Sequence, residues 1–246
     1  MTEENLKTPS SVRKPMLVVS TGAGISAESG LSTFRDADGL WENYPVMDVA
    51  SADGFRRNPD LVHRFYNERR AQLLHAEPNA AHKALADLEK DFDVRIITQN
   101  VDDLHERARS SSVLHLHGEL MKMRAVDAPD DIEPIDPSNP VTTPQTRGAS
   151  GRLMRPHIVF FQEAVPNIEP AARLAEMADI FVVIGTSLAV YPAAGLLYQV
   201  KPGVPVWYID PRPALVTGVP NLQVIAQPAT KGVAELANRL RTELKK

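Results

Sequence analysis

The chain has 246 residues, 43% of them hydrophobic, no cysteine and a formal net charge of −4. That length holds one large α/β domain, or one domain with a small insertion. The missing cysteines exclude disulfides, thiolate catalysis and cysteine–zinc sites, the acidic balance argues against a nucleic-acid-binding face, and no apolar run approaches the roughly 18 residues of a membrane-spanning helix.

The start, MTEENLKTPSSVRKP, carries early acids and lacks the apolar centre of a secretion signal. It reads as a polar tail over 1–14 of a cytoplasmic protein. Met16–Ser20 (MLVVS) is a continuous apolar run, the pattern of a strand buried on both faces. It leads into Gly22-Ala23-Gly24-Ile25-Ser26-Ala27, which fits the G-x-G-x-x-G/A turn of dinucleotide-binding folds. A helix opening near Ser26 would aim free N–H groups at a phosphate pair. A dehydrogenase should then show a second strand ending in an acid that holds the ribose. The residues found there, Ser32–Trp41 (STFRDADGLW), read as a loop, so hydride-transfer chemistry loses its main support.

Thr33–Arg57 shows no strand or helix period and contains Asp-Gly twice. Asn58–His75 opens Asn-Pro-Asp, a cap followed by proline at the first helical position. Tyr66 and Arg69 share a face of that helix and can converge on one ligand, although spacing alone favours Arg69 as solvated surface. Asn79–Glu89 reads as helix. The strand Val94–Thr98 runs into Gln99, Asn100 and Asp102, where ligands of open α/β sheets bind; Asn100 and Asp102 can equally cap a helix over Val101–Arg109. His117 ends the strand Ser112–Leu116. His115 lies on the same strand face, and periodicity does not choose between them. His63, His75, His82, His105 and His157 show no ligand-like spacing and read as surface or packing residues.

Asp127–Ser150 is polar, with prolines at 129, 134, 137, 140 and 144 that prevent regular helix and central strand; it reads as an extended loop or the remnant of a small module. Further strands are expected at Ile158–Phe161, Ile180–Ile184, Val204–Ile209 and Leu222–Ile225, and helices at Pro170–Met177, Pro192–Gln199 and Lys231–Leu244. Ile180–Ile184 leads into Gly185-Thr186-Ser187, a small hydroxyl-bearing turn suited to phosphate or ribose. Strand–helix alternation implies an α/β, Rossmann-like, doubly wound parallel sheet with a second, smaller module inserted.

Taken together, GAGISAESGLSTFR (22–35), TQNVDDLHERA (98–108), HLHGEL (115–120), RPHIVFFQE (155–163) and GTSLAVYPAAG (185–195) resemble the sirtuin family of NAD-dependent protein-lysine deacylases, most of all its short bacterial members. The resemblance implies one sirtuin-type domain, with a Rossmann-like core of about 15–33, 92–118 and 155–246 and a small module of about 34–91 and 119–154. It implies NAD as the co-substrate and acyl-lysine proteins or peptides as partners, with a monomer favoured. Gly22, Ala23, Gly24 and Ser26 would cradle the pyrophosphate, and Phe34 and Arg35, with Trp41 nearby, would lie over the nicotinamide and ribose. Gln99, Asn100 and Asp102 would line the nicotinamide pocket, and Gly185, Thr186 and Ser187 would meet phosphate or ribose. Asp210, where the family usually has asparagine, would hold the adenosine ribose, and Ala229 would touch the adenine. His117 would be the general base, a task suited to an imidazole near neutral pH, with Asn100 and Asp102 beside it. Ile158, Phe161 and Glu163 would border the peptide. The products would be nicotinamide, free lysine and 2′-O-acyl-ADP-ribose. ADP-ribosyl transfer or NAD hydrolysis, and a non-catalytic NAD or ADP-ribose sensor, are the alternatives.

The stretch DVASADGF…FYNERR further resembles the desuccinylase/demalonylase class, which implies that Ala50, Tyr66 and Arg69 accept an acidic acyl chain, with deacetylation also open. Two departures stand out. The four zinc cysteines of most members match Ala125, Ala128, Thr146 and Ala149, and no histidine lies between 121 and 150, so no metal is expected. Gln162 stands where the family usually has glycine.

Overall fold

In a computed structural model, residues 13–32, 40–41 and 44–244 are described. The tail expected over 1–14 lies outside them except for Arg13, whose guanidinium meets Asp179 at 2.8 Å, and Lys14, whose ammonium donates to Glu89 O.

In chain order the elements are β1 (Met16–Thr21), β2 (Leu40–Trp41), β3 (Tyr44–Pro45), α1 (Val46–Val49), α2 (Ala52–Arg57), α3 (Pro59–His75), α4 (Ala80–Leu88), β4 (Asp93–Thr98), α5 (Leu104–Arg107), β5 (Val113–His115), β6 (Gly118–Ala125), β7 (Ile132–Pro134), β8 (Met154–Ile158), α6 (Ile168–Met177), β9 (Ile180–Ile184), β10 (Val206–Ile209), β11 (Leu222–Ile225) and α7 (Ala229–Glu243). One six-stranded sheet runs β11-β10-β9-β1-β4-β5, every pair parallel. Its strands are apolar on both faces because both are covered. Leu17, Val19, Ile96, Val182 and Ile209 face α4 and α7, whereas Met16, Val18, Ile97, Val183 and Tyr208 face α6 and the 3-10 turn Ala193–Gln199. Asn79 caps α4, its side chain accepting from Ala81 N–H.

The second body joins α1–α3 to the antiparallel sheet β7-β6-β8. Val49, Val62, Phe65, Tyr66, Leu120, Ile158 and Phe160 form its core. Three expectations change here. The helix near Ser26 is two 3-10 turns, Ala23–Ile25 and Ala27–Ser29, so no α-helix opens at Ser26. The helix over Val101–Arg109 shrinks to the single turn α5, because Asn100–Asp102 line the cavity instead and the turn opens only after Asp103. The strand at Ile158–Phe161 begins and ends earlier, as β8, and pairs antiparallel with β6.

Of the four positions matched to zinc cysteines, three are alanines and the fourth, Thr146, offers only a hydroxyl that accepts from Thr143 N–H, so the residues present do not fit the metal. Hydrogen bonds tie the loop around 146–151 to β7, β8 and the residue before β7. Ala149 N–H donates to the Glu133 carboxylate at 2.7 Å, Ser150 Oγ donates to Asp131 at 2.7 Å, and Met154 N–H donates to Thr146 O at 2.9 Å. Arg152 adds ion pairs to Asp127 and Asp131. Among the described residues, no group of three His, Asp or Glu side chains could hold a metal ion. Chelation with EDTA is therefore expected to leave Tm unchanged, whereas Glu133→Ala, which removes a charge-assisted bond of about 1 kcal/mol, lowers Tm by roughly 2–4 °C. A clear drop of Tm in EDTA would contradict this account of the module.

Candidate active site

The C-terminal ends of β1, β4 and β9 lie side by side, and the loops that leave them meet. Gly24 N–H donates to Gly185 O at 2.8 Å, and a Cβ on Gly24 would sit 2.6 Å from Gly185 Cα. Gly185 also has φ +63, the left-handed region that glycine adopts without strain. Only paired glycines let these two backbones touch.

Behind this contact sits a buried polar cluster. Ser26 Oγ donates to Asp102 Oδ2 at 3.0 Å and accepts from Asn100 Nδ2 at 3.1 Å. His82 Nδ1 accepts from Asn79 N–H, so the ring proton rests on Nε2, which faces Ser26 Oγ at 3.5 Å. Burial pushes His82 down to about 4, keeping it neutral. Burial pushes Asp102 up to about 6, against the pull of Leu104 N–H and Ser26. Asp102 thus does both things its position allows: Oδ1 accepts from Leu104 N–H at the start of α5, and Oδ2 holds Ser26.

The structure separates the two histidines of the HLH motif. His115 is buried behind the site, between Asn100 O at 3.0 Å and the Glu106 carboxylate at 2.8 Å. Burial alone would push it down, but the Glu106 carboxylate holds it above the ordinary value of 6.5. His117 faces the cavity, and its Nδ1–H donates to Gln99 O at 3.0 Å. That bond leaves Nε2 as the basic nitrogen. Burial pushes His117 below 6.5, opposed by the Gln99 bond. The next residue must be glycine: Gly118 has φ +85, and a Cβ there would lie 2.0 Å from His157 O.

One cavity of ≈ 310 Å³ joins these parts. Its polar floor comprises Gly22, Ala23, Gly24, Ser26, Gln99, Asn100, Asp102, Gly185, Thr186 and Ser187. The same cavity has apolar walls from Leu120, Ile158, Val159, Phe160 and Phe161, and its lining includes His117, Ala50, Tyr66 and Arg69. Arg69 is not solvated surface: its side chain is 10% exposed and lies over the Phe65 ring, 4.7 Å from the centroid. Tyr66 is fully buried, and its hydroxyl has no hydrogen-bond partner among the described residues. Leaving such a group unpaired costs about 1–3 kcal/mol, which an acceptor entering the cavity would recover. Glu163 reaches the lining but anchors it, accepting from Arg155, Arg124 and Phe160 N–H. Trp41 packs edge-on to Phe65 and Tyr66 at the lining. Asp210 and Ala229 are buried and do not line it; Asp210 accepts from Arg212 N–H, and Ala229, the first residue of α7, packs in the core. Phe34 and Arg35 lie outside the described residues. His82 was not separable from packing residues in the sequence; the Asn79 cap three residues earlier is the one local hint of a fixed ring.

A model of the Sir2 family matches residues 22–192. A Bacteroides thetaiotaomicron protein named NAD-dependent protein deacylase is 53% identical over 227 residues, covering 91% of this chain and 97% of the relative. A solved Sir2 homologue in complex with NAD is 37% identical, with a TM-score of 0.83 over 94% of this chain and 91% of that one. A mutant Sir2 homologue in complex with ADP-ribose has a TM-score of 0.85 at 38% identity, covering 94% of each chain.

The two histidines should titrate on opposite sides of 6.5 in NMR spectra of the ring resonances, His117 below and His115 above. Because the His115 value is raised in the fold, its pair with Glu106 stabilises the protein below pH 6.5 for as long as Glu106, itself held below its ordinary value, stays ionised. That contribution fades as pH rises through the folded value. Glu106→Gln should bring His115 down; both rings titrating on the same side of 6.5 in the unmodified protein would contradict the assignment.

Proposed function

The chain belongs to the Sir2 family, and on that premise we propose that it is an NAD-dependent protein-lysine deacylase acting on acetyl-lysine and, more characteristically, on lysines carrying acidic acyl groups such as succinyl and malonyl. The observation that carries the reading is that His117, with Nε2 left as its basic nitrogen, shares one cavity with the polar floor and with the apolar walls. When bound, NAD supplies a ribose carbon with nicotinamide as leaving group. The floor fits it: Asn100 and Asp102, fixed through Ser26, offer a donor and an acceptor for the carboxamide and ribose hydroxyls, and glycine backbone leaves room for phosphate. The proposed division of labour sets this floor on the Rossmann-like core and the acyl end on the smaller module.

His117 Nε2 is the proposed general base, taking a proton from a ribose hydroxyl as the acyl group is passed on. Its depressed value keeps it unprotonated at neutral pH, ready for that step. The apolar channel admits the aliphatic stem of a lysine and excludes water from the reacting atoms. Arg69 and the Tyr66 hydroxyl, which has no partner among the described residues, are suited to a carboxylate, which can accept from both. Ala50 leaves space for the longer chain. The proposed setting is a cytoplasmic monomer; no helix among the described residues is long and apolar enough to cross a membrane.

The test is mass spectrometry of acetyl-, succinyl- and malonyl-lysine peptides incubated with the protein and NAD. O-acyl-ADP-ribose should form, and His117→Ala should lower its rate by roughly a hundredfold or more. Nicotinamide release without acyl transfer would instead support NAD hydrolysis or ADP-ribosyl transfer, and binding without turnover a sensor. Arg69→Met should reduce succinyl-lysine kcat/KM roughly tenfold or more while leaving the acetyl value within about twofold. Equal losses on both substrates would contradict the carboxylate-reading role.

A further inference from the structure

We infer that Gln162 is a positioning residue that ties the peptide-facing rim of the cavity to the wall of the acyl pocket, with Asp53 as its partner. The segment after β8 is held from two directions. On one side the Glu163 carboxylate takes Arg155 at 2.6 Å, Arg124 at 3.1 Å and Phe160 N–H at 2.9 Å. On the other, Phe161 pairs through its backbone with the strap between α1 and α2: its N–H donates to Ala50 O at 2.8 Å, and Ala52 N–H donates to Phe161 O at 3.1 Å. That strap carries Ala50 into the pocket wall.

Gln162 adds a second tie beside the first. Its Oε1 accepts from Asp53 N–H at 3.1 Å, and its Nε2 donates to Asp53 Oδ2 at 2.7 Å. The two bonds clamp one amide side chain to both the backbone and the side chain of a single residue. Asp53 is itself steadied by an ion pair to Arg56, and both neighbours hold its carboxyl below the usual carboxylate value.

The backbone at Gln162 has φ +76, which glycine adopts freely and a residue with a Cβ adopts only under strain. A position needing nothing but this turn would be served best by glycine. Here a long amide occupies it, lines the cavity and reaches across to the first turn of α2, which follows the strap directly. The side chain is the gain set against the strained backbone. Its place is the junction of two surfaces that one acyl-peptide must meet together: the rim at Phe161, 40% exposed, and the wall at Ala50. Fixing their separation aligns a bound peptide with its acyl chain before the reaction.

This inference rests on the deacylase reading and not on the acyl class, so the probe is an acetyl-lysine peptide. Gln162→Gly should raise the peptide KM roughly fivefold to tenfold, with the NAD KM unchanged. Its Tm should be unchanged or raised, since glycine relieves the left-handed backbone; a purely structural tie would lower Tm instead. Asp53→Ala removes the carboxylate bond but keeps the backbone one, so it should raise the peptide KM by a smaller factor, and the double variant should match Gln162→Gly alone. Asp53→Asn can keep both bonds and should retain a near-unmodified KM. An unchanged peptide KM in Gln162→Gly, or effects that multiply in the double variant, would overturn the inference. If the unmodified protein turns over no acyl-peptide, the proposed activity fails separately. The same ratios are then read from fluorescence anisotropy of the labelled peptide, where unchanged or absent binding also overturns the inference.

Discussion

The site depends on one buried hydroxyl. Ser26 Oγ stands where the loops after β1 and β4 come together, and it bonds Asn100, Asp102 and, at longer range, His82. Each of these groups is nearly or fully buried. Polar groups taken out of water must find partners in the protein, at a cost of about 1–3 kcal/mol for each one left unmade. The cluster meets that requirement with groups that point into a cavity, so the same bonds that make the fold tolerable also fix the donor and acceptor proposed to meet NAD.

The rest of the molecule supports that junction. The parallel sheet brings three strand ends to one edge, and the glycine pair 24 and 185 lets their loops touch. Asn79, at the cap of α4, aims His82 and also donates to Ile25 O, pinning the loop after β1 from outside the sheet. His115 and Glu106 hold the Asn100 backbone from behind. The smaller body supplies the apolar walls and Arg69, and hydrogen bonds accepted by Glu133, Asp131 and Thr146 O tie its strands and loops at the positions where a metal is usual in the family.

The parallel sheet was legible because its strands are continuous apolar runs, and the glycine motif because it follows one of them. The cavity-lining residues Asn100, Asp102 and His117 were visible as polar residues at strand ends. What stayed hidden has physical reasons. α1 and α2 are four and six residues long, too short to show a helical period. β6, Gly118–Ala125, alternates poorly between buried and half-buried residues and left no strand signal. His115 and His117 share a strand face, so only tertiary contacts separate them: one meets a carboxylate, the other a backbone carbonyl beside the cavity. Arg69 looked like surface because Glu68 and Arg70 flank it, although Arg70 is itself fully buried against Thr142 and Asn67.

The central claim is that the Ser26 cluster, more than the glycine turn alone, sets the NAD site. Calorimetric titration of NAD into Ser26→Ala tests it directly. The account predicts an NAD Kd weakened roughly tenfold or more, the equivalent of one lost hydrogen bond of about 1.4 kcal/mol, with the Kd of an acetyl-lysine peptide nearly unchanged. An unchanged NAD Kd in a folded Ser26→Ala protein would contradict it.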